Sequence, residues 1–76
     1  MISSDQIRAG RALARLTAKE LAERAGVGLT AVQRIENGTV SISRASVKTI
    51  EGIQRALEGA GVVFLADGYG VTKRQP

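Results

Sequence analysis

Between Thr17 and Gly38 the chain carries two short apolar stripes separated by a glycine, and that spacing limits the folds open to it. Thr17-Ala18-Lys19-Glu20 is a capping box. Its threonine hydroxyl accepts from the Glu20 amide, and the Glu20 carboxylate reaches back to the Thr17 amide. Ala18, Leu21, Ala22 and Ala25 then fall at i, i+3, i+4 and i+7, one face of a helix. Gly26 follows at the position where a left-handed residue ends a helix. After Val27 and Gly28 a second stripe begins, with Val32 and Ile35 facing inward. Gly28 serves as its N-cap but supplies no side-chain acceptor. Asn37-Gly38 stops this helix, because both residues tolerate positive φ.

The flanks predict two more helices and a different tail. Ala9, Ala12, Leu13 and Leu16 make a stripe for a first helix over about residues 4 to 15, capped by Ser3 or Ser4. Val47, Ile50, Ile53 and Leu57 recur every three to four residues and predict a helix over about 45 to 58. Gly52 inside it costs up to about 1 kcal/mol relative to Ala, and a close helix contact is a use for it. From Gly59 the composition changes. Val62 to Leu65 is β-branched and aromatic, which favours a strand. Asp67-Gly68-Tyr69-Gly70 is turn chemistry, Val71-Thr72 reads as a return strand, and Lys73 to Pro76 as a frayed end. The expectation is a mainly α chain in one domain over 1–76, with four helices within 4–58 and a short C-terminal strand or hairpin.

Composition removes many functions. At 76 residues the chain has no room for a deep cleft with a lid. It has no Cys and no His, so disulfides, thiolate metal sites and the commonest general base are all missing. An enzyme is not expected, nor a metal, a cofactor or a small-molecule ligand. The start, Met1-Ile2-Ser3-Ser4-Asp5, has neither the basic nor the apolar region of a secretory signal. The longest apolar run, Val62 to Ala66, is too short to cross a bilayer. A soluble, cytoplasmic protein with no membrane partner is expected. Eleven Lys and Arg against seven Asp and Glu leave a charge of +4, which suits an anionic partner such as nucleic acid.

Two short helices joined by a tight glycine-containing turn are the skeleton of a helix-turn-helix. The motif needs a small residue where the helices cross, and Ala22 is there. Its turn needs positive φ, and Gly26 is there. Leu21, Ala25, Val27, Val32 and Ile35 supply apolar anchors. Leu29, Thr30, Gln33 and Arg34 occupy the outward face of the second helix of the pair. The stretch from Leu16 to Gly38, and its ending Ile35-Glu36-Asn37-Gly38 above all, resembles the phage repressor and Cro-like proteins of the XRE family. The likeness covers about residues 4 to 58.

That resemblance implies double-stranded DNA as partner and a recognition helix, about 28–37, in the major groove. It implies base contacts from Leu29, Thr30, Gln33 and Arg34. Arg34 suits guanine N7 and O6, Gln33 suits adenine N6 and N7, and Leu29 and Thr30 suit a thymine methyl. Backbone contacts are implied at Thr17 and Ala18, whose helix start would hold a phosphate, and at Lys19, Gly28, Asn37 and Ser43. Arg44 matches a position that enters a narrowed minor groove. Arg11 and Glu36 match a structural ion pair between the first and third helices. Two departures weaken the expected grip. Ala18 stands where members often have a phosphate-bracing Gln, and Gly28 where they often have Ser or Thr. The tail stands in place of the family's fifth helix.

One such domain touches few base pairs, so a homodimer on a pseudo-palindromic operator is expected. The edges of Val62, Val63, Phe64 and Leu65 are the expected dimerisation element. The chain would then repress transcription by occluding a promoter, with activation from an adjacent site as a second mode, and would control its own gene. The rival reading is a DNA-binding antitoxin whose tail also binds a toxin.

Overall fold

The computed structural model describes residues 2–74. It contains α1 (Ser4–Leu13), α2 (Ala18–Ala25), α3 (Leu29–Glu36), α4 (Val47–Gly59), β1 (Val62–Phe64) and β2 (Val71–Lys73). This is the expected four-helix arrangement with a C-terminal hairpin. Gln75 and Pro76, the last two residues of the expected frayed end, lie outside the described residues. Lys73 belongs to β2, and the Arg74 N–H donates to the Gly61 carbonyl at 2.7 Å, so neither is frayed.

Helix α1 forms as capped but turns a different face inward. Ser3 is the N-cap, and with Gln6 it makes a reciprocal capping box. The buried residues are Gln6, Ile7 and Gly10, whereas Ala12 and Leu13 of the expected stripe are exposed. The reason is tertiary. A Cβ on Gly10 would lie 3.2 Å from Val62 Cγ1 and 3.3 Å from Leu57 Cδ1, so this is the face on which α4 and β1 converge. Leu16 is buried, but from the turn after the helix. Arg15 takes φ 58° there and reverses the chain.

Helices α2 and α3 follow their local signals. Thr17 and Glu20 exchange bonds of 3.0 and 2.9 Å as a capping box. Gly26 ends α2 at φ 69°. Val32 and Ile35 are buried on α3. At the end of α3 only Gly38 uses positive φ (81°), while Asn37 keeps φ −89°.

Ser46 caps α4 and accepts from the Thr49 N–H at 3.0 Å. The helix therefore starts at Val47, two residues later than expected. Val47 in its first turn is 59 % exposed and not part of the inward face. Ile50, Ile53 and Leu57 are. Gly52 sits directly under the last carbonyl of α2: a Cβ there would stand 2.7 Å from Ala25 O.

The hairpin is antiparallel, with Val62 opposite Lys73 and Phe64 opposite Val71. Asp67 Oδ1 closes its turn by accepting the Tyr69 and Gly70 N–H groups at 2.8 and 2.7 Å. These bonds hold the Asp67 carboxyl below the usual carboxylate range, with the Gly70 N–H the larger cause. The hairpin is fastened to α1. Gln6 is 1 % exposed, and its Nε2 donates to the carbonyls of Leu65 (2.8 Å) and Gly70 (3.0 Å). Ser3 Oγ donates to Gly68 O at 2.6 Å. The core joins Ile7, Leu21, Val32, Ile53, Leu57 and Val62 from every helix and β1. Each such side chain stabilises the fold by about 1.5–3 kcal/mol.

Candidate nucleic-acid interface

Burial of Val32 and Ile35 fixes the rotation of α3, and that decides which residues it presents outward. Leu29, Thr30, Gln33 and Arg34 are all exposed on the opposite side. Their i, i+1, i+4, i+5 spacing keeps them on one strip. Gln33 and Arg34 have no side-chain partner among the described residues. Each therefore offers its full set of donors, and Gln33 an acceptor as well, outward.

The start of α2 lies beside this strip. Glu20 already occupies the Thr17 N–H that was expected to meet a phosphate. That bond, with the Thr17 hydroxyl second, holds the Glu20 carboxyl below its usual range. The orphan amides left at this end are those of Ala18 and Lys19. Lys19 is exposed and Ala18 half-buried. Gly28 gives α3 no side-chain cap.

In the loop after α3, Asn37 Oδ1 accepts the Thr39 N–H at 2.9 Å, which leaves its NH2 donors outward. Ser43 Oγ lies 3.2 Å from Ser41 Oγ. Arg44 is exposed.

Arg11 and Glu36 form the tie between α1 and α3. Arg11 Nε lies 2.8 Å from Glu36 Oε2 and Nη2 lies 2.9 Å from Oε1, a bidentate pair. Nη1 adds a bond to Leu16 O at 3.0 Å. The bonds to Glu36 raise the Arg11 pKa against the opposing effect of burial. Arg8 of α1 reaches the same place. Its Nη1 donates to the Glu36 carbonyl at 3.1 Å and its Nη2 pairs with Asp5 at 2.6 Å. Arg8, Arg11, Ala18, Gln33, Glu36 and Asn37 line an open groove of about 460 Å³. No periodicity pointed to it, because its walls come from three helices.

Charge is distributed unevenly along the chain. Apart from the Arg11–Glu36 pair, the segment from Arg15 to Lys48 holds six cations against Glu20 and Glu23, and the rest balances. Those six, Arg15, Lys19, Arg24, Arg34, Arg44 and Lys48, are exposed and make no ion pair among the described residues. Outside the segment Arg8 and Arg55 are paired with acids, and Arg74 bonds to the Glu58 carbonyl. Sequence alone did not single out Arg15, Arg24 or Lys48, since whether a cation is paired depends on its neighbours in space.

The expected dimerisation residues divide. Val62 is 2 % exposed and sits in the core. Its side chain is therefore not available to a partner, because β1 turns that face onto α1 and α4. Phe64 is half-buried against the same core, while Val63 and Leu65 are 39 % and 44 % exposed. The strand itself ends at Phe64 and not at Leu65.

Among the described residues no helix is long and apolar enough to cross a membrane. No curated protein matched the chain. A helix-turn-helix family model matches residues 7–59, from the buried Ile7 of α1 to the last residue of α4. With the α2–Gly26–α3 geometry and the exposed strip of α3 in place, the chain belongs to the XRE-type helix-turn-helix family of DNA-binding regulators.

Proposed function

We propose that this protein is a cytoplasmic, homodimeric transcription regulator that binds a pseudo-palindromic operator. The carrying observation is the strip Leu29, Thr30, Gln33 and Arg34, exposed on α3 within the segment that holds all the unbalanced positive charge. The strip would lie in the major groove, with Arg34 reading guanine and Gln33 adenine. The amides of Ala18 and Lys19, the Lys19 ammonium, the backbone at Gly28, and Asn37 and Ser43 would meet phosphates. Arg44 would enter the minor groove. A twofold dimer would place two such strips about 34 Å apart, one turn of DNA. Val63 and Leu65 supply exposed apolar surface for it, on a part of the chain whose charges balance.

A gel shift on the DNA flanking its own gene, followed by footprinting, tests this reading. Arg34→Ala should cost about 1–3 kcal/mol on the footprinted site and relax the base preference at one position of each half-site. Equal weakening on all sequences would remove Arg34 as a reader.

A further inference from the structure

The groove between α1, the start of α2 and the end of α3 opens beside the reading strip. Gln33 belongs to both. Its floor at Ala18 is a methyl group with no side-chain donor. Of its two guanidinium groups, that of Arg11 is committed on three nitrogens to Glu36 and Leu16. The guanidinium of Arg8 is held differently. One nitrogen is anchored on the Glu36 carbonyl at the end of α3. The other meets Asp5, in a pair whose side chains are 55 % and 61 % exposed. An exposed pair of this kind is weak and easily exchanged.

We propose that this groove is a DNA-phosphate site and that Arg8 is its cation. On binding, a phosphate oxygen replaces the Asp5 carboxylate at Arg8 Nη2, while Nη1 stays on the Glu36 carbonyl. The guanidinium then bridges the DNA backbone to the last residue of α3, so the phosphate contact also sets the depth and register of the reading strip. Asp5 acts as a competing anion that holds the arm in place when DNA is absent. The inference rests on the DNA-binding reading and adds to it a contact from α1 and its internal competitor.

Because a phosphate contact is indifferent to sequence, a short labelled duplex of arbitrary sequence is the probe, with the full chain titrated by fluorescence anisotropy. Arg8→Gln keeps a polar side chain but removes the charge, and Arg8→Lys keeps the charge; thermal melts verify that both are folded. Each phosphate contact contributes about 0.9 to the slope of log affinity against log salt. Raising salt from about 50 to about 200 mM should therefore narrow the gap between wild type and Arg8→Gln by about 3.5-fold. Arg8→Lys should retain the wild-type slope. Asp5→Asn should raise affinity about two- to fivefold in the wild type and not in Arg8→Gln. An unchanged slope in Arg8→Gln overturns the site. An equal Asp5→Asn gain in both backgrounds overturns the exchange and leaves only a long-range field. If the wild type binds no duplex at low salt, the DNA-binding reading itself fails, a result distinct from either.

Discussion

Replacing Gly52 by Ala sets two effects against each other. The intrinsic preference for a helix favours Ala over Gly by about 1 kcal/mol. The position opposes it. A Cβ on Gly52 would stand 2.7 Å from Ala25 O, 3.7 Å from its carbonyl carbon and 3.9 Å from its Cβ. The first distance is closer than a methyl group and a carbonyl oxygen can come. The obstacle is backbone, so no rotamer change relieves it. Gly26, at φ 69° immediately after, pins the end of α2. Relief requires α2 and α4 to part by roughly 0.5 Å over a close-packed contact, and overpacking of that kind costs about 1–3 kcal/mol. Subtracting the helix gain leaves a net loss of about 1 kcal/mol. For a domain of this size that lowers the melting temperature by about 4–8 °C. Gly59→Ala in the same helix is the control, since a Cβ there meets nothing within 4 Å. It should stabilise slightly. Thermal and urea unfolding of the two variants separate the terms. If Gly52→Ala melts at or above the wild-type temperature, the close approach does not govern the packing of α2 on α4.

Arg15 is the one described non-glycine residue with positive φ, at 58°, and its side chain is unpaired. Left-handed backbone costs a side-chain-bearing residue about 1–2 kcal/mol, part of which the looser unfolded chain of a Gly variant returns. Arg15→Gly should thus raise the urea midpoint by the equivalent of about 0.5–1 kcal/mol, and a lower midpoint would refute the strain. Glu20 and Asp67 have carboxyls held below their ordinary range by backbone N–H donors. A lowered folded pKa contributes stability that is present above the unfolded values of about 4.3 and 3.9 and is lost as pH falls through the folded values. The double variant Glu20→Gln, Asp67→Asn should lose less stability than wild type between about pH 5 and about pH 2; parallel acid limbs would show that these bonds do not favour the ionised form. For the proposed dimer, Val63→Glu with Leu65→Glu should shift sedimentation to the monomer while Val62 and the core stay in place. An unchanged dimer would put the interface elsewhere. Deleting the hairpin would be a poorer test, because it also uncovers Gly10 and Leu57 and leaves Gln6 without acceptors.

The features legible in the sequence are those whose causes lie within a few residues. The Thr17–Glu20 capping box, the left-handed Gly26 and the Asp67 turn are local hydrogen bonding and backbone sterics, so the start and end of α2 and the closure of the hairpin could be read directly. The rotation of α3 was legible as well, since Val32 and Ile35 leave only one face for Leu29, Thr30, Gln33 and Arg34. On α1 the periodic apolar residues do not mark the buried face. Apolar counting favours Ala9, Ala12 and Leu13, yet what is buried is Gly10, for lack of a side chain, and Gln6, for its fit to two hairpin carbonyls. Both depend on partners more than 45 residues away in the chain. Val62 and Val63 look alike in sequence, and only docking of the hairpin on α1 makes one core and the other surface. The same holds for the cations. Composition gives the sum of +4, but which arginines are spent on carboxylates and which stay free is a matter of distances between elements. The sequence by itself determined the helix pair and the strip it can offer to DNA. The tertiary structure decided where the first helix and the tail sit, which charges remain unpaired, and that Arg8 reaches the end of α3, because long-range packing and pairing leave no trace in local periodicity.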